Sequence, residues 1–142
     1  MTIAQALKLK NKKVALLHTL WDRLNKNNSV LEGNRRSYDP VELMATIEAE
    51  IDALTDLKTR IHNASAPVRR EIFLMSELKN KALKLKFLNT SEGPVHDKYD
   101  GTVTRRIAIL PVEQIDSLTE ATQQEIESLQ EVLDKFNYST QI

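Results

Sequence analysis

The sequence predicts a mainly α-helical protein: an antiparallel bundle of four long helices with a short β-hairpin before the last helix. Apolar residues recur at alternating spacings of three and four along four long segments, a pattern typical of helices with one buried face. Only 3 glycines and 4 prolines occur in 142 residues, too few for a fold of many strands and turns. We therefore predict one domain over residues 1–142, with a hairpin insertion at about 94–110.

The first predicted helix determines how long the other helices must be. Its apolar stripe keeps a heptad spacing over residues 3–31. A straight helix drifts away from a 3.5-residue repeat, so a stripe of this length indicates packing along the whole helix. Such a helix would be about 45 Å long, and only other long helices could cover it. Thr2 is a suitable N-cap, Gly33 a suitable end, and Trp21 is expected in the core. The predicted inward positions are Ile3, Leu7, Lys10, Val14, Leu17, Trp21, Leu24, Asn28 and Leu31.

The second predicted helix has the clearest start in the chain. Asp39 is a suitable N-cap, Pro40 suits the first helical position, and Glu42 stands three residues after the cap, as in a capping box. The helix is expected to end near His62. Its predicted apolar face consists of Met44, Ile47, Ile51, Leu54 and Ile61, with Leu43 and Leu57 beside it.

The third predicted helix begins after Ser65 and Pro67 and is ended by the Gly93-Pro94 pair. A basic run, Lys79, Lys81, Lys84 and Lys86, lies near its end. This run could form a phosphate-binding surface, but we interpret it as a solvated helix face, which is the more common arrangement. The predicted apolar face consists of Val68, Ile72, Met75, Leu78, Ala82, Leu85 and Leu88.

The hairpin and the last helix follow. Asp100-Gly101 is a strong signal for a two-residue hairpin turn, and residues 102–110 favour a strand through their β-branched side chains. Pro111 opens the last helix, and the tail, residues 137–142, is expected to be extended. The predicted apolar face of this helix consists of Ile115, Leu118, Thr122, Ile126, Leu129, Leu133 and Phe136.

Charge alternates along the chain although the net charge is zero. The four predicted helical regions, residues 1–31, 39–61, 67–88 and 111–136, carry net charges of +5, −4, +4 and −6. An up-down-up-down order would place a basic helix beside an acidic one at every neighbouring pair. Each exposed pair contributes only about 0–1 kcal/mol, so the pattern selects an arrangement more than it supplies stability.

Composition excludes several classes of protein. Cysteine is absent, which removes disulfides, thiolate metal ligands and a thiol nucleophile. A net charge of zero argues against nucleic-acid binding. No apolar run approaches the roughly 18 residues of a spanning helix, and no signal-peptide pattern occurs. We therefore expect a cytoplasmic protein without a transmembrane segment.

No catalytic constellation emerges from the motifs. A di-iron site in a helical bundle needs Glu three residues before His, but Ala15, Thr59 and Gly93 stand at those positions. No glycine-rich phosphate loop occurs. His96, Asp97 and Asp100 could bind a cation, although three polar residues on a loop more often only solvate it. We predict no catalytic residue, no cofactor and no metal site.

Several stretches together resemble the septicolysin-like family of small bacterial proteins. The residues that carry the resemblance are Asn28-Ser29-Val30-Leu31-Glu32-Gly33 with Asp39-Pro40 and Leu43, then Asp97-Lys98-Tyr99 before Arg106-Ile107-Ala108-Ile109-Leu110, and the ending Asn137-Tyr138-Ser139-Thr140-Gln141-Ile142. The resemblance implies a mostly helical bacterial protein of uncharacterised function. The family label also suggests cytolysis, but no catalytic or membrane-inserting residues come with it.

The functional prediction is a non-enzymatic interaction or assembly protein that forms homo-oligomers, most simply a dimer. Residues 102–110 and the tail leave opposite ends of the last helix, about 37 Å apart, so antiparallel subunits would bring them together. A membrane-active lytic protein and an enzyme with a polar or metal site at a bundle end are the alternatives. The candidate oligomer contacts are Val103, Ile107, Ile109, Tyr138 and Ile142.

Overall fold

The computed structural model describes residues 1–142 and confirms the predicted fold class: four helices, with a two-stranded antiparallel hairpin before the last. The elements are α1 (Ile3–Asn28), α2 (Pro40–Ala64), α3 (Arg69–Lys86), β1 (Gly93–His96), β2 (Val103–Arg106) and α4 (Val112–Ser139), with one turn of 3₁₀ helix at Ala66–Val68. The chain forms two compact units, Met1–Arg69 with Asp134–Ile142, and Arg70–Leu133. The first is called unit 1 and the second unit 2.

In unit 1, α1 and α2 form an antiparallel pair. Leu20 and Leu24 of α1 share a buried cluster with Leu43 and Ile47 of α2. The Lys13 Nζ atom lies 2.7 Å from the Glu50 Oε2 atom, so an earlier part of α1 meets a later part of α2. Ile47 has no exposed surface and lies at the centre of this contact.

Side-chain hydrogen bonds fix where α1 begins. The backbone N–H of Gln5 donates to the Thr2 hydroxyl, and the Gln5 side-chain oxygen accepts from the Thr2 N–H at 2.9 Å. This reciprocal capping box satisfies two backbone donors that the first helical turn cannot satisfy. The predicted N-cap at Thr2 is therefore correct.

The connection after α1 is tied back to the helix. α1 ends at Asn28, earlier than predicted, and Gly33 takes its left-handed backbone conformation within the following loop. The Arg36 guanidinium donates to the carbonyl oxygens of Asn27 at 2.8 Å and Asn28 at 3.2 Å. These carbonyls are among the last four of the helix, which have no partner inside it.

The predicted cap of α2 is present, because the Asp39 carboxylate accepts from the Val41 N–H at 2.9 Å.

The buried face of α1 differs from the predicted stripe. Val14, Trp21 and Leu31 were expected to face inward, but their exposed fractions are 48%, 47% and 78%. Ala6 and Leu20 are buried instead. α2 packs on the face of α1 that contains Leu20, which is displaced by about one residue position from the predicted stripe. The prediction that Trp21 is a core residue is therefore wrong.

In unit 2, α3 and α4 run antiparallel. Leu74 and Leu129 line one cleft between these helices, and Leu85 and Ile115 line another at the opposite end of α3. Thr122 of α4 has no exposed surface, and its hydroxyl donates to the carbonyl oxygen of Leu118 at 2.7 Å, so no polar atom of this side chain is left unpaired. Ile115, Thr122 and Leu133 are buried, as predicted for the α4 face.

The hairpin of unit 2 is shorter than predicted. Val95 pairs with Thr104, and His96 pairs with Val103. The connection between the strands is a wider loop, in which the Asp97 N–H donates to the Thr102 carbonyl, and not a two-residue turn. The strand ends at Arg106, since the residues that follow have no partner strand.

The tail pairs with the start of the chain inside unit 1. α4 continues to Ser139, so only the last three residues are available for pairing. Thr2 forms an antiparallel bridge with Gln141, and the Ile3 N–H donates to the Thr140 carbonyl at 2.9 Å. We call residues 1–3 and 140–142 the terminal clasp. Ile3, which belongs to the clasp, is almost fully buried.

Candidate functional site

The carboxylates of the hairpin loop accept hydrogen bonds from backbone and hydroxyl groups of the same loop. The Asp97 carboxylate accepts from the backbone N–H groups of Tyr99 and Asp100. The Asp100 carboxylate accepts from the N–H and the hydroxyl of Thr102, which lower the pKa of Asp100 below its ordinary value. No group of three or more His, Asp or Glu side chains lies close enough together to hold a metal ion. These carboxylates therefore shape the turn.

No helix of the structure has the combined length and apolar content needed to cross a membrane.

The hairpin and the segment after it expose several large apolar side chains. Seven of the eight strand residues are exposed, and only Gly93 is partly covered. Val103 on β2 is 56% exposed, and Ile107 and Ile109 after the strand are 74% and 87% exposed. We call these three residues the hairpin surface. These are large β-branched side chains with most of their surface in contact with water.

The two edges of the hairpin differ. The hydrogen bond from Asp97 N–H to Thr102 O makes these residues a hydrogen-bonded pair, and such pairs alternate along an antiparallel ladder. Val103 and Arg105 therefore direct their backbone N–H and C=O groups away from β1, toward the open edge of β2. On the opposite edge stands Pro94, which has no N–H to donate. Only the edge formed by β2 keeps a full set of backbone donors and acceptors.

The two remaining candidate contacts lie in unit 1. Tyr138 is in the last turn of α4, with 65% of its surface exposed. Ile142 is half-buried, and its backbone N–H donates to the Met1 carbonyl at 2.9 Å in the terminal clasp. The five predicted contacts thus fall into two sets, with Val103, Ile107 and Ile109 in unit 2.

Each helix pair also carries a groove that the sequence did not reveal. In unit 1, Trp21, Val41 and Met44 line an open groove of about 610 Å³ between α1 and α2, with Glu48 at its side. In unit 2, the cleft that contains Leu74 has a volume of about 570 Å³. Both volumes lie within the range of small-molecule sites, roughly 300–1,000 Å³. Their open, mainly apolar form suits a partner side chain as well as a small molecule.

Fold and surfaces together define a small, mainly helical protein with exposed apolar side chains. The chain belongs to a family of unknown function, DUF6847, which matches residues 11–142. No curated protein and no solved structure matches the chain. The family match provides no link to the septicolysin-like proteins, so that resemblance stays a prediction.

Proposed function

We propose that the protein is a non-enzymatic helical assembly protein that associates with copies of itself, most simply as a dimer. The observation that carries this proposal is the hairpin surface: Val103, Ile107 and Ile109 are 56%, 74% and 87% exposed. A two-stranded hairpin is marginally stable in water when no other surface covers it. Burying this surface against a second copy would remove the apolar exposure.

Charge on β2 limits how two copies could meet. Arg105 and Arg106 are adjacent on the strand and both are exposed. Pairing of β2 with β2 of a second copy, about a two-fold axis within the strand, would bring these arginines near their counterparts, and like charges opposite each other destabilise a strand pair. We therefore propose that the apolar side chains of the hairpin surface make the contact, and not a continuous four-stranded sheet.

The tail contributes through Tyr138 in this proposal. The backbone of residues 140–142 is occupied by the terminal clasp. Deleting the tail would therefore damage α1 as well as any contact, and a change confined to Tyr138 is the cleaner test. Its exposed ring is a suitable anchor, since tyrosine is enriched at interfaces.

The test compares solution mass by light scattering for the wild type and the double variant Ile107→Lys/Ile109→Lys at tens of micromolar. We expect a lower mass for the variant than for the wild type, because two lysines would have to be desolvated at the contact. Tyr99→Lys is the matched control, since Tyr99 is 98% exposed at the tip of the same hairpin. A wild-type monomer at these concentrations would overturn the proposal.

A further inference from the structure

One side of α3, together with Phe87 directly after the helix, combines exposed aromatic rings with lysines. Phe73 is 64% exposed, Leu83 is 53% exposed and Phe87 is 73% exposed. Lys79 precedes Leu83 by four residues and Lys86 follows it by three, so these side chains are neighbours on one helix face. The Lys86 Nζ atom lies 5.7 Å from the centre of the Phe87 ring. We call these five residues the α3 outer face.

The outer side of α4 is acidic. Five exposed carboxylates lie at spacings of three, four or seven residues, opposite the buried Ile115 and Thr122. None of them takes part in either of the salt bridges Lys13–Glu50 and Lys26–Asp22. We call these residues the α4 acidic face, which consists of Glu113, Asp116, Glu120, Glu127 and Glu131.

We infer that the α3 outer face of one copy docks on the α4 acidic face of another copy. This inference rests on the proposed self-association and names a second contact for it. Lys79 and Lys86 are seven residues apart, and Glu120 and Glu127 are seven residues apart. Seven residues correspond to a rise of about 10.5 Å in both helices, so two lysine–glutamate pairs form at the same time. The rings of Phe73 and Phe87 are then covered by the stems of the acidic side chains.

The arrangement of α3 and α4 in unit 2 determines which kind of assembly this contact forms. α3 and α4 face each other through their buried sides, so the two outer faces point away from each other. The contact is therefore heterologous, and each added copy leaves one α3 outer face and one α4 acidic face free. Such a contact adds further copies unless the assembly closes into a ring.

An anionic membrane is the other occupant that a basic, aromatic helix face suits. Unit 2 as a whole disfavours it, because Arg70–Leu133 contains eight Lys and Arg against eleven Asp and Glu, a net charge of −3. A second copy, in contrast, presents an acidic face of matching spacing to the lysines while its own basic helix remains available to the next copy.

The test uses full-length chains and two charge reversals, Lys79→Glu/Lys86→Glu and Glu120→Lys/Glu127→Lys, with helix content checked by circular dichroism. Sedimentation velocity should show a mass that rises with concentration for the wild type at low salt, and loss of this rise at high salt. Each variant alone should lose the rise as well. An equal mixture of the two variants should regain it, because the reversed α3 of one fits the reversed α4 of the other.

Four outcomes would overturn the inference. Variants that assemble like the wild type, or a mixture that fails to regain assembly, would show that these charges do not meet. Flotation of the wild type with phosphatidylserine vesicles, lost in the lysine variant, would assign the α3 outer face to a membrane. A fixed oligomer that resists both charge reversals but dissociates in Ile107→Lys/Ile109→Lys would refute this contact and leave the proposed function standing.

Discussion

The Lys13 ammonium nitrogen lies 2.7 Å from a carboxylate oxygen of Glu50, and this pair joins the middle of α1 to the middle of α2. The two side chains are only 21% and 24% exposed, so water and salt screen the pair less than they screen an exposed one. The second ion pair, Lys26–Asp22, lies within α1, and its side chains are 71% and 57% exposed.

We predict that a double-mutant cycle with Lys13→Met and Glu50→Gln gives a coupling free energy of about 1 kcal/mol, the upper end for surface pairs. Urea denaturation of the four proteins measures it. The matched control is a cycle at Lys26 and Asp22, for which an i, i+4 helix pair predicts about 0.3–0.5 kcal/mol. Equal coupling in the two cycles would show that the partial burial of Lys13 and Glu50 adds nothing.

Substitution of Ile47 by alanine should lower the free energy of unfolding more than substitution of Trp21 by alanine. Ile47→Ala empties a site with no exposed surface, at a cost of about 2–5 kcal/mol in the free energy of unfolding. Trp21→Ala should cost only about 1–2 kcal/mol, because nearly half of the ring already contacts water and less apolar area is lost. Chemical denaturation at low protein concentration tests this order. A loss for Trp21→Ala as large as that for Ile47→Ala would indicate that another chain covers the indole ring.

Thr2→Ala should lower the free energy of unfolding by about 0.5–2 kcal/mol, since it removes the hydroxyl that accepts from the Gln5 N–H. Thermal unfolding followed by circular dichroism measures the loss. Thr19→Ala is the control in the same helix: its hydroxyl donates only to the Ala15 carbonyl, and alanine is the better helix former. A control that loses as much stability as Thr2→Ala would refute the cap as the cause.

The hairpin loop should respond to acid through Asp100. Its carboxylate accepts from the N–H and hydroxyl of Thr102, which hold its pKa below the ordinary value of 3.8. The lowered pKa means that the loop is stabilised while the group is charged. This contribution is complete above the ordinary pKa and is lost as pH falls through the lower folded value. A carboxyl titration followed by NMR should show a midpoint below 3.8, together with a shift of the Thr102 amide. A midpoint at or above that value would contradict the hydrogen bonds.

Local signals predicted the helices well because they act within one turn. The starts at Thr2 and Asp39 depend on side chains that reach only two or three residues along the chain. The face of α4 was also predicted, since Ile115 and Thr122 belong to one apolar stripe bounded by acidic residues on the other side.

What the sequence could not decide is which neighbour covers an ambiguous face. In α1, Leu20 and Trp21 both continue a pattern of three and four from Leu17 to Leu24, so spacing alone does not choose between them. Leu20 is the buried residue of the two, because α2 packs on that side of α1. The two grooves were missed for the same reason, since each is formed by side chains of two helices that only packing brings together.

The terminal clasp has a kinetic consequence. It joins Met1 to Gln141 across 140 positions, whereas the connection between α1 and α2 has 11 residues. In an unfolded chain, closing the longer loop costs about 2 kcal/mol more in entropy, because this cost grows with the logarithm of loop length. The α1–α2 pair should therefore form early, and the clasp should close last and open first. Native-state hydrogen exchange should accordingly be faster at the Ile3 amide, although Ile3 is almost fully buried, than at the Ile47 amide.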